Sequence, residues 1–284
     1  YTLSNGRANV GGICGKNDIG GKIFYCSFEG TVHNKGNNYV GGICGENKGL
    51  IEYCYAFADV TSDRNFAGGI CGRHDDYSGI DSDIYYCYFV GKVSINEGND
   101  DSVGAIVASS TASTRYLNCY YDKERSNVVD NELGVGKTTK ELCEAVNLFG
   151  SYEKTWTTGS YAVTPDAENS NLRTVEYTYP KLVCLKKAAK SGTMQQYNFK
   201  TSDTDDWQEC TVITTAEQFK AIGEDETSLG KNYVLGDNID FGGEDITPIS
   251  NFANPFTGKF DGNGHTVSNF TINKPDESYL GLFG

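Results

Sequence analysis

One five-residue block constrains this chain more than any other feature. It stands at Gly11-Gly12-Ile13-Cys14-Gly15, at Gly41-Gly42-Ile43-Cys44-Gly45 and at Gly68-Gly69-Ile70-Cys71-Gly72. A decayed copy follows at Gly104-Ala105-Ile106-Val107-Ala108, and the steps are 30, 27 and 36 residues. Each copy is followed by an aromatic block: Ile23-Phe24-Tyr25-Cys26, Ile51-Glu52-Tyr53-Cys54, Ile84-Tyr85-Tyr86-Cys87 and Tyr116-Leu117-Asn118-Cys119. A single unit is too small to bury its own apolar strands. Copies stacked about 4.8 Å apart satisfy one another's backbone groups and share a continuous core. Variable polar loops, such as residues 73–83, are tolerated between rungs of this kind. No Asn-Gly turn separates the two blocks, which favours a solenoid over hairpins or propeller blades. The expected class is therefore all-β and solenoidal.

The rungs follow from the alignment of the copies. Ile13, Ile43, Ile70 and Ile106 are expected in the core beside Cys14, Cys44, Cys71 and Val107. Cys26, Cys54, Cys87 and Cys119 form a second column, and Leu282 and Phe283 extend the first. The chain has 10 cysteines, which leaves two readings. Disulfides within each coil (14–26, 44–54, 71–87) suit a secreted protein. Stacked core thiols suit a column whose fourth member is valine, because buried cysteine behaves as a small hydrophobe. The second reading is favoured. No C-x-x-C occurs, so zinc-ribbon and thioredoxin-like chemistry is not expected.

Charge excludes some partners. With 24 basic against 38 acidic side chains the net charge is −14, which repels nucleic acid and anionic membrane surfaces. No apolar run is long enough to span a bilayer, and the start, Tyr1 to Val10, lacks the character of a signal peptide. No catalytic set is expected. The 3 histidines, His33, His74 and His265, read as loop residues. Acidic stretches (Asp75, Asp76, Asp81 and Asp83, and residues 97–101) offer oxygen donors to Ca²⁺ without matching an EF-hand, and no other cofactor is indicated. Tyr25, Tyr53 and Tyr86, with Tyr55, Tyr88 and Tyr120, form an aligned stripe suited to stacking on a surface glycan or to plain packing.

Taken together, these motifs resemble the GLUG-motif repeats of bacterial surface proteins. The C-terminal part adds to the likeness through residues 233–240, Ile246-Thr247-Pro248-Ile249, residues 255–267 and Tyr279-Leu280-Gly281-Leu282-Phe283-Gly284, which look like opening coils. Residues 118–122 and 136–139 and Tyr179-Pro180-Lys181-Leu182 resemble a closing segment. The resemblance implies a right-handed parallel β-helix, with short capping helices and turn-rich loops, outside the cell or on its surface. It implies no single function.

The order is permuted. Residues 1–122 read as repeat coils and 123–186 as a closing segment with a short helix. Residues 187–206 read as a linker. Residues 207–284 read as opening coils of a second solenoid section, with a capping helix near 215–222. Thr138 with Glu141 and Thr214 with Glu217 have the capping-box spacing. Two partner arrangements follow: end-to-end docking of protomers into a fibre, or continuation in a longer tandem chain. The functional expectation is an extracellular structural or adhesive solenoid. The alternative is a carbohydrate-binding or carbohydrate-active β-helix.

Overall fold

A computed structural model describes residues 2–4, 9–36, 39–75, 82–97, 102–111, 116–128, 133–144, 160–165, 173–179, 195–197, 208–274 and 277–284. The repeats form a right-handed parallel β-helix whose rungs run around four faces. The glycine face holds Val10–Gly11, Val40–Gly41, Ala67–Gly68 and Val103–Gly104. The thiol face holds Cys14–Asn17, Cys44–Asn47, Cys71–His74 and Val107–Ser110. The aromatic face holds Lys22–Phe24, Leu50–Glu52, Ile84–Tyr85 and Tyr116–Leu117. The long face holds Ser27–Asn34, Tyr55–Ser62, Tyr88–Val90 with Val93–Ile95, Tyr120–Asp122 and Val135–Lys137.

Pairing is parallel and in register with the sequence repeat. Cys14 faces Cys44, which faces Cys71, which faces Val107. Ile23, Ile51, Ile84 and Tyr116 align in the same way. The expected rungs form one core, with Ile43, Ile70, Ile106, Cys44, Cys71, Cys54 and Cys87 fully buried and Val107, Cys119 and Leu282 also buried. Ile13, Cys14, Cys26 and Phe283 are only partly buried.

The glycines of the repeat are required by close backbone approach. A β-carbon on Gly12, Gly42 or Gly69 would collide with the carbonyl oxygen of Gly42, Gly69 or Ala105 on the next coil. The fourth copy carries Ala105 at this position, and on the glycine face the strand order ends with that copy. Among the described residues no further glycine-face strand lies against that methyl, which fits the change from glycine to alanine in this copy.

The C-terminal coils join the same stack. Gln208–Ile213, Tyr233–Leu235 and Phe260–Asp261 pair in succession, and Ile239–Asp245 pairs with Val267–Asn273. Val267–Asn273 pairs in parallel with Thr2–Ser4, which in turn pairs with Ser27–Asn34. Val10 bridges Leu280 and Cys14 bridges Phe283. The second solenoid section expected from the sequence is thus continuous with the first. The end-to-end docking expected between protomers is made here within one chain.

Both expected helices are present. Thr139–Cys143 is capped by Thr138 and Glu141 as the spacing predicts. Ala216–Lys220 is capped one residue later than predicted, by Thr215 with Gln218, because the Gln218 side chain reaches the amides of both Thr214 and Thr215. The linker reading of 187–206 is corrected at Gln195–Tyr197, a strand antiparallel to Gln208–Ile213. Most of that segment lies outside the described residues. At the other end, buried Asp122 accepts from the Thr139 hydroxyl at 2.7 Å, the Tyr179 hydroxyl and the Glu124 amide at 2.9 Å. One carboxylate therefore ties the helix and Tyr179 to the last full coil.

Gly42→Ala and Gly230→Ala separate close approach from mere flexibility. The nearest atom to a β-carbon on Gly230 is Thr257 Oγ1, at 3.7 Å. In urea denaturation, Gly42→Ala is expected to cost about 2 kcal/mol or more through backbone displacement. Gly230→Ala is expected to stay within about 0.5 kcal/mol of the parent.

Candidate functional site: the side-chain ladders

Stacking identical rungs converts the sequence repeat into ladders of like side chains, and these are the chemical features the fold builds. The first is a ladder of thiols. Cys14, Cys44 and Cys71 donate to the carbonyls of Lys16, Glu46 and Arg73 at 3.1, 3.1 and 3.0 Å. Cys26, Cys54, Cys87 and Cys119 donate in the opposite sense, to the carbonyls of Phe24, Glu52, Tyr85 and Leu117 at 3.2, 3.4, 3.1 and 3.7 Å. Each column thus lies at a corner of the coil, where its sulfurs occupy carbonyls of the flanking strand. All nine described cysteines are free thiols, so the intracoil disulfide reading is corrected. Cys184 lies outside the described residues. A hydrogen bond with Cys44, and then burial, push the Cys14 thiol up, and burial with neighbouring thiols does the same to Cys87. Such thiols stay protonated and are poor nucleophiles.

The second ladder is polar and buried. Asn17 donates from Nδ2 to Asn47 Oδ1 at 2.7 Å, and Asn47 Nδ2 donates to His74 Nδ1 at 2.9 Å. Asn47 Nδ2 also reaches the Gly49 carbonyl at 2.8 Å. Asn47 and His74 are both 0% exposed. This corrects the loop reading of two histidines. His74 ends a thiol-face strand, with the Tyr116 ring edge-on at 5.7 Å, and His33 lies on a long-face strand, 2.7 Å from Asp63 Oδ1. His265 is in the expected turn, its amide donating to the Gly262 carbonyl at 2.7 Å. The sequence concealed His74 because it occupies an asparagine rung and the repeat is read most easily from its glycines.

The third ladder is aromatic. Tyr25, Tyr53 and Tyr86 each adopt a left-handed backbone, with φ of 52°, 53° and 52°, and Asn118 takes the same place in the fourth coil with φ of 54°. This conformation costs a non-glycine residue roughly 1–2 kcal/mol. It turns the chain between the aromatic and long faces and directs the rings into one column. Tyr25 stacks on Tyr53 at 5.1 Å and 3°, and Tyr53 stacks on Tyr86 at 4.9 Å and 5°. Each stacked pair returns about 0.5–1.5 kcal/mol. Tyr55 and Tyr88 stack beside them at 5.2 Å, with Tyr179 5.5 Å from Phe57. Both faces of Tyr53 are therefore covered by tyrosine, and Tyr53 is 5% exposed against 37% for Tyr25. Glycan stacking needs an open ring face, which Tyr53 does not offer.

Among the described residues no group of three or more His, Cys, Asp or Glu could hold a metal ion. Of the acidic stretches proposed for Ca²⁺, Asp76, Asp81 and residues 98–101 lie outside the described residues, while Asp75 and Asp83 are buried. Arg73 pairs with Asp75 at 2.8 Å, and Asp83 accepts from the Tyr85 hydroxyl. No described helix is long and apolar enough to cross a membrane.

Burial holds His74 below the usual imidazole range, against the nearby charges of Asp83 and Asp75, which act in the other direction. The folded state therefore binds this proton less readily than the unfolded chain. The contribution is complete above the unfolded value of about 6.5 and declines as pH falls from there towards the folded value. In denaturation at pH 8 and pH 5.5, His74→Asn, which extends the amide ladder, is expected to lose less stability on acidification than the parent. An equal loss would show that His74 does not titrate in this way. Tyr53→Val and Tyr53→Asn test the corner. Both lose the stack, but valine also resists the left-handed backbone, so it is expected to be the less stable by about 1 kcal/mol.

Comparison with known proteins agrees with the architecture. The GLUG motif is matched at residues 6–32 and 36–61, the first two coils. The third and fourth copies continue their register by direct pairing. A protein of Evansella cellulosilytica, provisionally named a Gly-rich membrane protein, is 46% identical over 46 residues. That match covers 16% of this chain and 5% of the relative. No solved structure matches the chain.

Proposed function

We propose that this GLUG-motif repeat chain is a structural or adhesive solenoid section of an extracellular surface protein. The observation that carries the reading is the continuity of the stack. One parallel sheet runs from Ile239–Asp245 through Thr2–Ser4 to Val135–Lys137, with interior ladders running along the same axis. A body built in this way resists extension along its axis through many parallel backbone hydrogen bonds. The acidic surface suits a solvated exterior position. The match to a relative named as a membrane protein supports placement at the cell envelope, although only a small part of that relative is involved.

The chemistry of the ladders fits a supporting role. The Cys14 and Cys87 thiols are held protonated, and Tyr53, in the middle of the tyrosine column, has both ring faces covered by its neighbours. The carbohydrate reading would need open ring faces or a carboxylate pair on one side of the stack, and no described feature favours it. Antibodies raised against the folded chain are expected to label intact, unpermeabilised cells of the source organism. Labelling that appears only after lysis would refute the surface assignment.

A further inference from the structure

We propose that Asn9 and Lys48 become joined by an intramolecular isopeptide bond, formed with the help of Glu46, which fastens the first coil to the second. The three side chains meet beside the thiol face. Lys48 Nζ lies 3.2 Å from Glu46 Oε1, and Asn9 Nδ2 donates to Glu46 Oε2 at 2.5 Å. One carboxylate therefore carries an amine on one oxygen and a primary amide on the other. All three groups are largely shielded from water. Asn9 is 2% exposed, and the Glu46 and Lys48 side chains are 13% and 17% exposed.

The flanking coils show how this position is built when it serves packing alone. Lys16, Glu46 and Arg73 occupy one register column. Lys16 pairs with Asp18, two residues on, at 2.9 Å and lies over the Phe252 ring at 5.6 Å. Arg73 pairs with Asp75, two residues on, at 2.8 Å and lies over the Tyr39 ring at 5.1 Å. In the coil between them all three roles are exchanged together. The column residue is an acid, its partner two residues on is an amine, and an amide replaces the ring. Alternation of charge along the column accounts for Glu46 and Lys48. It does not account for Asn9, which stands between Tyr279 and Tyr39 in register. A buried asparagine kept for hydrogen bonding pairs both ends of its amide. Among the described residues Asn9 Oδ1 has no partner.

The arrangement sets the reaction. Backbone bonds fix the participants: Lys48 donates its amide to the Asn17 carbonyl at 2.7 Å, and the Asn9 carbonyl accepts from the Leu280 amide at 3.0 Å. Glu46 Oε1 takes a proton from the Lys48 ammonium and leaves a neutral amine. Nζ then crosses the shared carboxylate and attacks Asn9 Cγ, forming the new C–N bond. The Cγ–Nδ2 bond breaks as Glu46 Oε2, which already faces Nδ2, returns the proton to the departing nitrogen. The second proton shed by Nζ follows by the same carboxylate. A lysine ammonium and a primary amide thus become a secondary amide and an ammonium ion, and no oxidant or other co-reactant is consumed. Holding amine and amide on one carboxylate supplies proximity, and burial keeps water from competing for Cγ.

The bond would form wherever the protein is displayed, so its test is independent of the surface assignment. The intact mass of the purified full chain is measured after prolonged incubation at neutral pH, followed by peptide mapping. The parent is expected to be lighter than its sequence by one ammonia, with a branched peptide joining the segments that contain Asn9 and Lys48. Lys48→Arg keeps the charge pair with Glu46 but lacks a reactive amine, and is expected to retain the full mass. Glu46→Gln is expected to link about a hundredfold more slowly or not at all. Ammonia lost by succinimide formation, as at Asn263-Gly264, gives no branched peptide. A parent of full mass, a mass loss without the branch, or a Glu46→Gln chain that links as fast as the parent would each overturn the proposal. The parent's mass and map decide the matter even if Glu46→Gln does not fold.

Discussion

The structure depends on in-register parallel pairing between successive coils. Once Cys14 lies opposite Cys44 and Ile23 opposite Ile51, every other side chain must lie on its own counterpart about 4.8 Å away. At that spacing like groups are forced together. The arrangement is stable only where like groups attract or at least tolerate contact. Aliphatic side chains, thiols, amides and flat rings do so, but like charges do not. The interior and corner positions accordingly hold isoleucine, cysteine, asparagine and tyrosine, while charged side chains are placed mainly on outward positions and in loops.

The same constraint explains the smaller residues. Coils approach so closely on the glycine face that the second glycine of the motif leaves no room for a β-carbon against the next carbonyl. At the fourth copy, the last described strand of the glycine face, alanine takes the place of that glycine. The thiols solve a related problem at the corners. Turning between faces leaves carbonyls beside the core, and a buried S–H occupies them without adding a charge or much volume.

Closure of the two ends of the chain on one another follows from the same logic. An exposed end of a solenoid offers a row of backbone groups and an open core. The C-terminal coils offer a matching end, and joining the two buries both. The join runs through the glycine, thiol and long faces.

The repeat class, the rungs and the first helix cap were legible in the sequence because they depend on local pattern. Glycine positions, alternation of apolar residues and the Thr138–Glu141 spacing each act over a few residues. His74 was not legible. Its surroundings come from Asn47, 27 residues earlier, and from Tyr116, which no local pattern connects to it. The tyrosines were legible as a stripe but not as a closed column, since that depends on a left-handed backbone at each corner. The sequence by itself determined that the copies must stack and which side chains enter the core, because an isolated unit cannot bury its strands. The tertiary structure alone decided that the last coils dock beneath the first, because that choice depends on which exposed edges meet in space.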